Sequence, residues 1–244
     1  VYSFLEKNIS GCDYRWIWKT CMPLKIQIFM WQLSQNAILT RDVMKHRGWK
    51  KDPKCSFCAE KETSQHLFFT CPVARVTWRV VARMFGTDLC PNNIWQAYSW
   101  CHSFFPEGEV FYTMGIAAIC WAIWTCRNRA TFEFIPLKSP FECTFSTCAL
   151  LCYWAGLMKQ EDASDLRTGG IMLKNNAWRL MQICATVYQE DGARWWMTSS
   201  PSQPRISVWF VYPPCVGSFS FDAHMWAIYL WSKTRQCSGL VVVI

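Results

Sequence analysis

The sequence predicts a mainly α-helical chain: a small metal-stapled N-terminal domain, then a helical hairpin region and an irregular C-terminal tail. Three observations carry this reading. Residues 55–71 place three cysteines and one histidine at the spacing C-x2-C-x7-H-x4-C, the closed set of four N/S donors that a structural zinc ion takes. Apolar residues recur at helical intervals behind the helix-starting residues Pro23, Thr40 and Pro72. Two long stretches, 110–126 and 143–158, carry no charge, as helices buried on most sides do. The 244 residues suffice for one or two domains. The expected division is a zinc-binding domain over 10–85, a helical region over 86–194, and a linker with a poorly defined tail over 195–244.

Residues 1–22 form an aromatic lead-in with Tyr14, Trp16 and Trp18. Pro23 opens a helix expected over 24–36. Leu24, Ile28, Trp31 and Gln35 recur there at i, i+4, i+7 and i+11, with Lys25 and Gln32 off that face. Thr40 is read as the cap of a second helix, 41–47, rich in Arg41, Lys45 and Arg47. The polar turn Lys50, Lys51, Asp52, Pro53, Lys54 leads into the metal loop.

Two residues between Cys55 and Cys58 let the chain turn so that both sulfurs face one ion. Thr63 caps a short helix, and His66 and Cys71 come from that helix and its end. Leu67, Phe68 and Phe69 lie between these donors and pack the ion against the rest of the fold. The competing reading makes these cysteines small buried hydrophobes. The complete four-donor set in a Lys-rich segment favours zinc, bound by Cys55, Cys58, His66 and Cys71.

Pro72 starts a further helix, 73–85. Val73, Val76, Val80 and Met84 share one face, and Arg75, Arg79 and Arg83 share another at four-residue spacing. That basic stripe is either a solvated face or one turned toward phosphates; spacing alone leaves both open.

These segments carry a resemblance. The run from Trp18 through Pro23-Leu24-Lys25 and Phe29 to Trp31, then Ile38-Leu39-Thr40, Arg47-Gly48-Trp49, the Cys55–Cys71 block and Ala74 to Trp78 together resemble the reverse-transcriptase zinc-binding domain. That family is carried by plant non-LTR (LINE-type) retrotransposon proteins. The likeness covers residues 10–85. A second block, from Ile119 through Trp121, Trp124, Arg127-Asn128-Arg129 and Phe132 to Glu133, is similar to the segment that follows the domain in such proteins. The resemblance implies zinc binding and a retrotransposon origin, and implies no activity by itself.

Residues 86–108 read as a connector rich in Gly, Pro and Asn, with a short helix over 94–102. The uncharged stretches 110–126 and 143–158 are seventeen and sixteen residues long, at and below the lower limit of a membrane span. They are read as two soluble helices packed as a hairpin about the turn 136–140, with no membrane involved. Residues 159–167 are charged and mixed in sign, Gly169-Gly170 breaks the helix, and 171–190 forms one more. Residues 198–207 are a Ser/Pro linker, and 208–212 and 217–221 are strand-like.

Composition bounds the function. Hydrophobic residues at 52% exclude wholesale disorder. The net charge is +8, and residues 1–90 hold 14 Lys/Arg against 7 Asp/Glu. The excess therefore sits on the zinc half. It suits a polyanion, and equally an ordinary solvated surface. Fifteen cysteines without an N-terminal signal-like core indicate a reducing, intracellular compartment, nucleus or cytoplasm. Val1 at the start and the closing Leu240 to Ile244 suggest a fragment or truncated gene product.

No Tyr-x-Asp-Asp turn of a reverse-transcriptase active site is present. Pro213 to Ala223 resembles the entry to an RNase H-like domain, yet Gly217 and Asp222 stand too close and no Asp or Glu follows Asp222. Two-metal hydrolysis needs several converging carboxylates. His46, His102 and His224 receive no catalytic role. The chain is thus read as a non-catalytic zinc module that binds RNA or single-stranded DNA. The candidate contacts are Lys25, Arg41, Lys45, Trp49, Lys50, Lys51, Lys54, Arg75, Arg79 and Arg83. The alternative is a structural or protein-interaction remnant in which zinc only holds the fold; protein partners are unspecified.

Overall fold

Leu24, Ile28 and Trp31 face outward on the first long helix, and Ile26, Phe29, Met30 and Leu33 face the core. This reverses the face read from the sequence. The helix is apolar almost all round, so its periodicity carries little directional signal; packing decides. Phe29 meets Phe68 edge-on at 5.9 Å and Trp121 at 5.1 Å, and these aromatic contacts select the buried side.

The computed structural model describes residues 14–50 and 52–190, with side chains of 185–190 excepted. Along it run α1 (Arg15–Trp18), α2 (Leu24–Ser34), α3 (Arg41–His46), a π-helical turn (His66–Thr70), α4 (Pro72–Met84), α5 (Ile94–Phe104) and α6 (Glu109–Asn128). A second π turn (Arg129–Glu133), α7 (Glu142–Ala155) and α8 (Gln160–Glu190) follow. Among the described residues no strand forms, only an isolated antiparallel bridge between Lys54 and Lys61. The mainly helical class expected from the sequence holds. The linker and strand-like segments beyond residue 190, with Asp222 and His224, lie outside the described residues.

Helix ends follow local chemistry where the sequence supplies it. Pro72 occupies the first turn of α4, where a missing N–H costs nothing. Val73, Val76, Val80 and Met84 are buried as expected. Asn93 caps α5 by accepting from the Gln96 amide at 2.9 Å. Thr40 stands at the start of α3 but its hydroxyl makes no capping bond. Glu62 takes that role from the metal loop: its Oε1 accepts from the Arg41 amide at 2.8 Å, and its carbonyl from the Asp42 amide at 3.2 Å.

The helix α8 runs unbroken through Gly169-Gly170, which the sequence reading took as a break. The glycine is there for closeness. A Cβ at Gly170 would stand 3.2 Å from Cys152 Sγ, 3.3 Å from Leu151 Cβ and 3.4 Å from the Cys148 carbonyl. It lets α8 lie against α7, and the gain in packing offsets the low helix propensity of glycine.

α6 and α7 pack as the expected hairpin, and α7 packs in turn on α8. Thr77 of α4 and Thr144 of α7 join their hydroxyls at 3.0 Å. A continuous buried core runs from Trp16 to Ala177. The segment Glu109–Glu133 is long and apolar enough to cross a membrane by length and composition alone, and 61% of its apolar window is buried inside this fold.

Candidate metal centre

The metal loop is built by two local devices. The first is a knuckle. Cys55 N donates to Glu60 O at 2.7 Å and Glu62 N to Pro53 O at 2.9 Å, folding 53–62 back on itself. Within it the Phe57 amide donates to Cys55 Sγ at 3.4 Å. The second is a capped turn. Thr63 Oγ1 accepts from the His66 amide at 3.1 Å, the cap expected of it. The chain then widens into the π turn, closed by Cys71 N donating to His66 O at 2.7 Å. That single i→i+5 bond joins the last two donors of the set. Such π turns recur at functional sites because they reset the angle at which a side chain leaves the helix.

Trp78 holds the π turn from below. Its indole N–H donates to Phe68 O at 2.8 Å, and its ring stacks on Phe69 at 5.6 Å. Leu67, Phe68 and Phe69 are all buried, so the turn is anchored to the core on its inner side, as the sequence suggested.

The donor atoms of Cys55, Cys58, His66 and Cys71 converge within 4.8 Å of one another. Cys55 Sγ and Cys71 Sγ lie 3.9 Å apart, and Cys58 Sγ and His66 Nε2 3.1 Å apart. Zinc bonds of about 2.3 Å to sulfur and roughly 2.0–2.1 Å to nitrogen set tetrahedral edges of about 3.6–3.8 Å. The observed separations bracket that range, and the Cys₃His donor chemistry is that of a structural zinc site. Cys55 and Cys71 are buried, Cys58 and His66 half-buried.

The three thiols share protons unequally. Hydrogen bonds from Cys55 and Cys71 hold Cys58 well below the usual thiol range. The bond with Cys58 pushes Cys55 up to about 12, and the bond with Cys55 raises Cys71. A dication is what favours all three thiolates together. With three sulfurs and one imidazole, every position of a tetrahedral ion is filled by protein, and none remains for a water.

The expected nucleic-acid contacts fall into separate groups. Arg41 is a hub. Its Nη1 donates to Lys54 O at 2.6 Å, its Nη2 to Thr131 Oγ1 at 3.3 Å, and its guanidinium lies 5.8 Å from the Trp49 ring. Lys45 and Lys50 are exposed nearby in sequence on α3 and after it, and Lys54 pairs with Asp52 at 3.2 Å. Lys51 lies outside the described residues. Lys25 rests over Trp121 at 5.8 Å. The α4 stripe turns partly inward to the connector: Arg75 donates to Cys90 O at 3.3 Å and to Asn92 Oδ1, and Arg83 sits 3.9 Å from Asp88. Arg79 is half-buried.

Sequence reading missed Arg127. It ends the long uncharged run and is almost wholly buried against Glu62. A lone arginine closing an apolar helix was the available signal, since such a charge needs a partner inside the fold.

Residues 1–78, about a third of the chain, match the family model described as zinc-binding in reverse transcriptase. No curated protein and no solved structure matches the chain.

Proposed function

We propose that the zinc-binding domain of reverse-transcriptase type in this chain is a non-catalytic module that binds RNA or single-stranded DNA weakly and with little sequence preference. The carrying observation is the Arg41 cluster. A guanidinium, an aromatic ring and the Lys54 segment meet beside the metal loop, within residues 1–90, where cations outnumber anions two to one. Zinc would hold this surface in shape; Lys45, Lys50 and Lys54 would contact phosphates, and Trp49 a base. The absence of an open metal position supports a non-catalytic role. No described cysteine forms a disulfide, which supports an intracellular, reducing setting. The burial of α6 supports a chain that works without a membrane.

The test is fluorescence anisotropy of labelled oligo(U) and oligo(dT) with the zinc-loaded chain across a salt series. Log affinity is expected to fall linearly with log salt, with a slope of about −0.7 per phosphate contact. Salt-independent binding, or none at low ionic strength, would leave the protein-interaction remnant as the better reading. One observation favours that second reading: Leu24 (63% exposed), Ile28 and Trp31 form an outward apolar stripe on α2, which suits a protein partner.

A further inference from the structure

We infer that the loop carrying Phe132 and Phe134 is the base-stacking half of the same interface, so that a single strand runs from the metal loop onto the end of α6. This rests on the proposed nucleic-acid binding and extends it beyond residues 1–78.

Three observations converge. First, the rings are presented to solvent: Phe132 is 56% and Phe134 78% exposed. Phe134 holds φ +57 at the end of the second π turn, a left-handed backbone that a bulky residue adopts only under constraint. Second, the loop is tied to the metal loop. Thr131 Oγ1 shares a 2.7 Å hydrogen bond with Ser56 Oγ, between the zinc ligands Cys55 and Cys58, and accepts from Arg41. Third, a guanidinium lies against a ring on each side of the junction, that of Arg127 being neutralised by Glu62. The Arg127 guanidinium lies 5.6 Å from the Phe132 ring, as Arg41 lies 5.8 Å from Trp49.

Two aromatic rings, each backed by a guanidinium, therefore flank one Arg41–Thr131–Ser56 junction. Arg127 and Arg129 are paired with Glu62 and Glu142, so the exposed cations left for phosphates are Lys138 on the loop itself and Lys54 of the segment that Arg41 holds. Rings for bases interleaved with cations for phosphates are what a single strand recognises, and a purely apolar protein patch needs no cations.

The test uses zinc-loaded full chain and fluorescein-labelled oligo(U), with circular dichroism confirming the fold of each variant. The double variant Phe132→Ala, Phe134→Ala is expected to weaken binding tenfold or more at every salt concentration and to leave the salt slope unchanged, because stacking releases no counterions. Phe134→Ala alone, at a mostly exposed site, is expected to weaken binding several-fold and decides the matter if the double variant misfolds. Phe134→Trp should retain affinity, and its fluorescence should be quenched by the strand. Leu24→Ala on α2 should change nothing.

Wild-type binding with unaltered affinity in the alanine variants would overturn this inference and leave the proposed function standing. Wild-type protein without salt-dependent binding would overturn both. Loss of self-association by the double variant, with oligo(U) affinity unchanged, would make the loop a protein-docking site and overturn the inference.

Discussion

Arg127 and Glu62, 65 positions apart, form a buried ion pair that locks the end of α6 onto the metal loop. The guanidinium donates twice to one carboxylate oxygen, from Nη2 at 2.5 Å and Nε at 2.9 Å. The side chains are 1% and 0% exposed. The same oxygen accepts from the Arg41 amide that starts α3. One carboxylate thus joins α3, the knuckle and α6.

Breaking this pair from one side is expected to be costly. Arg127→Met or Glu62→Gln should each destabilise the chain by about 3–5 kcal/mol, since either leaves an uncompensated buried charge. The double variant should lose less than the sum of the two. Urea unfolding midpoints of the four proteins give the coupling; additive losses would refute it.

Removing the metal should unfold the knuckle first. The purified chain should carry about one zinc by elemental analysis, and chelation should remove on the order of 10 kcal/mol of metal-linked stability. Cys71→Ser should prevent stoichiometric loading. The Cys55 thiol, pushed up to about 12 by its bond with Cys58, keeps its proton at neutral pH in the metal-free site. Zinc uptake should therefore release protons, and apparent affinity should rise with pH. Calorimetry in buffers of different ionisation enthalpy measures the release.

Two helical glycines should respond oppositely. A Cβ at Gly115 of α6 meets nothing within 4 Å, so Gly115→Ala should stabilise by up to about 1 kcal/mol through helix propensity. Gly170→Leu should destabilise by about 1–3 kcal/mol or more, because α7 must move away from Cys148, Leu151 and Cys152. Thermal midpoints of both variants settle the sign.

Alkali should weaken the fold through buried thiols. Burial pushes Cys101 and Cys148 up to about 12 from an ordinary value of 9.0. Above pH 9 the unfolded chain loses these protons and the folded chain keeps them, so their stabilising effect, complete below pH 9, declines until pH 12. Each thiol should contribute up to about 1.4 kcal/mol of loss per pH unit in that window. Urea midpoints at pH 8, 9 and 10 should fall, and the Cys101→Ala, Cys148→Ala double variant should fall less steeply.

What is local was legible in the order of the residues alone. The four zinc donors lie within 17 residues, and Thr63 caps the turn that carries His66, so ligand identity needs no distant contact. α4 was legible at its start and on its buried face because Pro72 and a strongly amphipathic pattern act within one helix. Tertiary structure decided the rest. α2 is apolar almost all round, and the rings of Phe68, Trp121 and Trp124 chose Phe29 over Trp31 for the core. Gly169-Gly170 breaks an isolated helix, yet α7 packed against Gly170 keeps α8 whole. α3 takes its cap from Glu62 in place of Thr40, because Glu62 is held there by Arg127. Local rules read energies between neighbours in the chain; a carboxylate shared by three elements exists only once those elements have met.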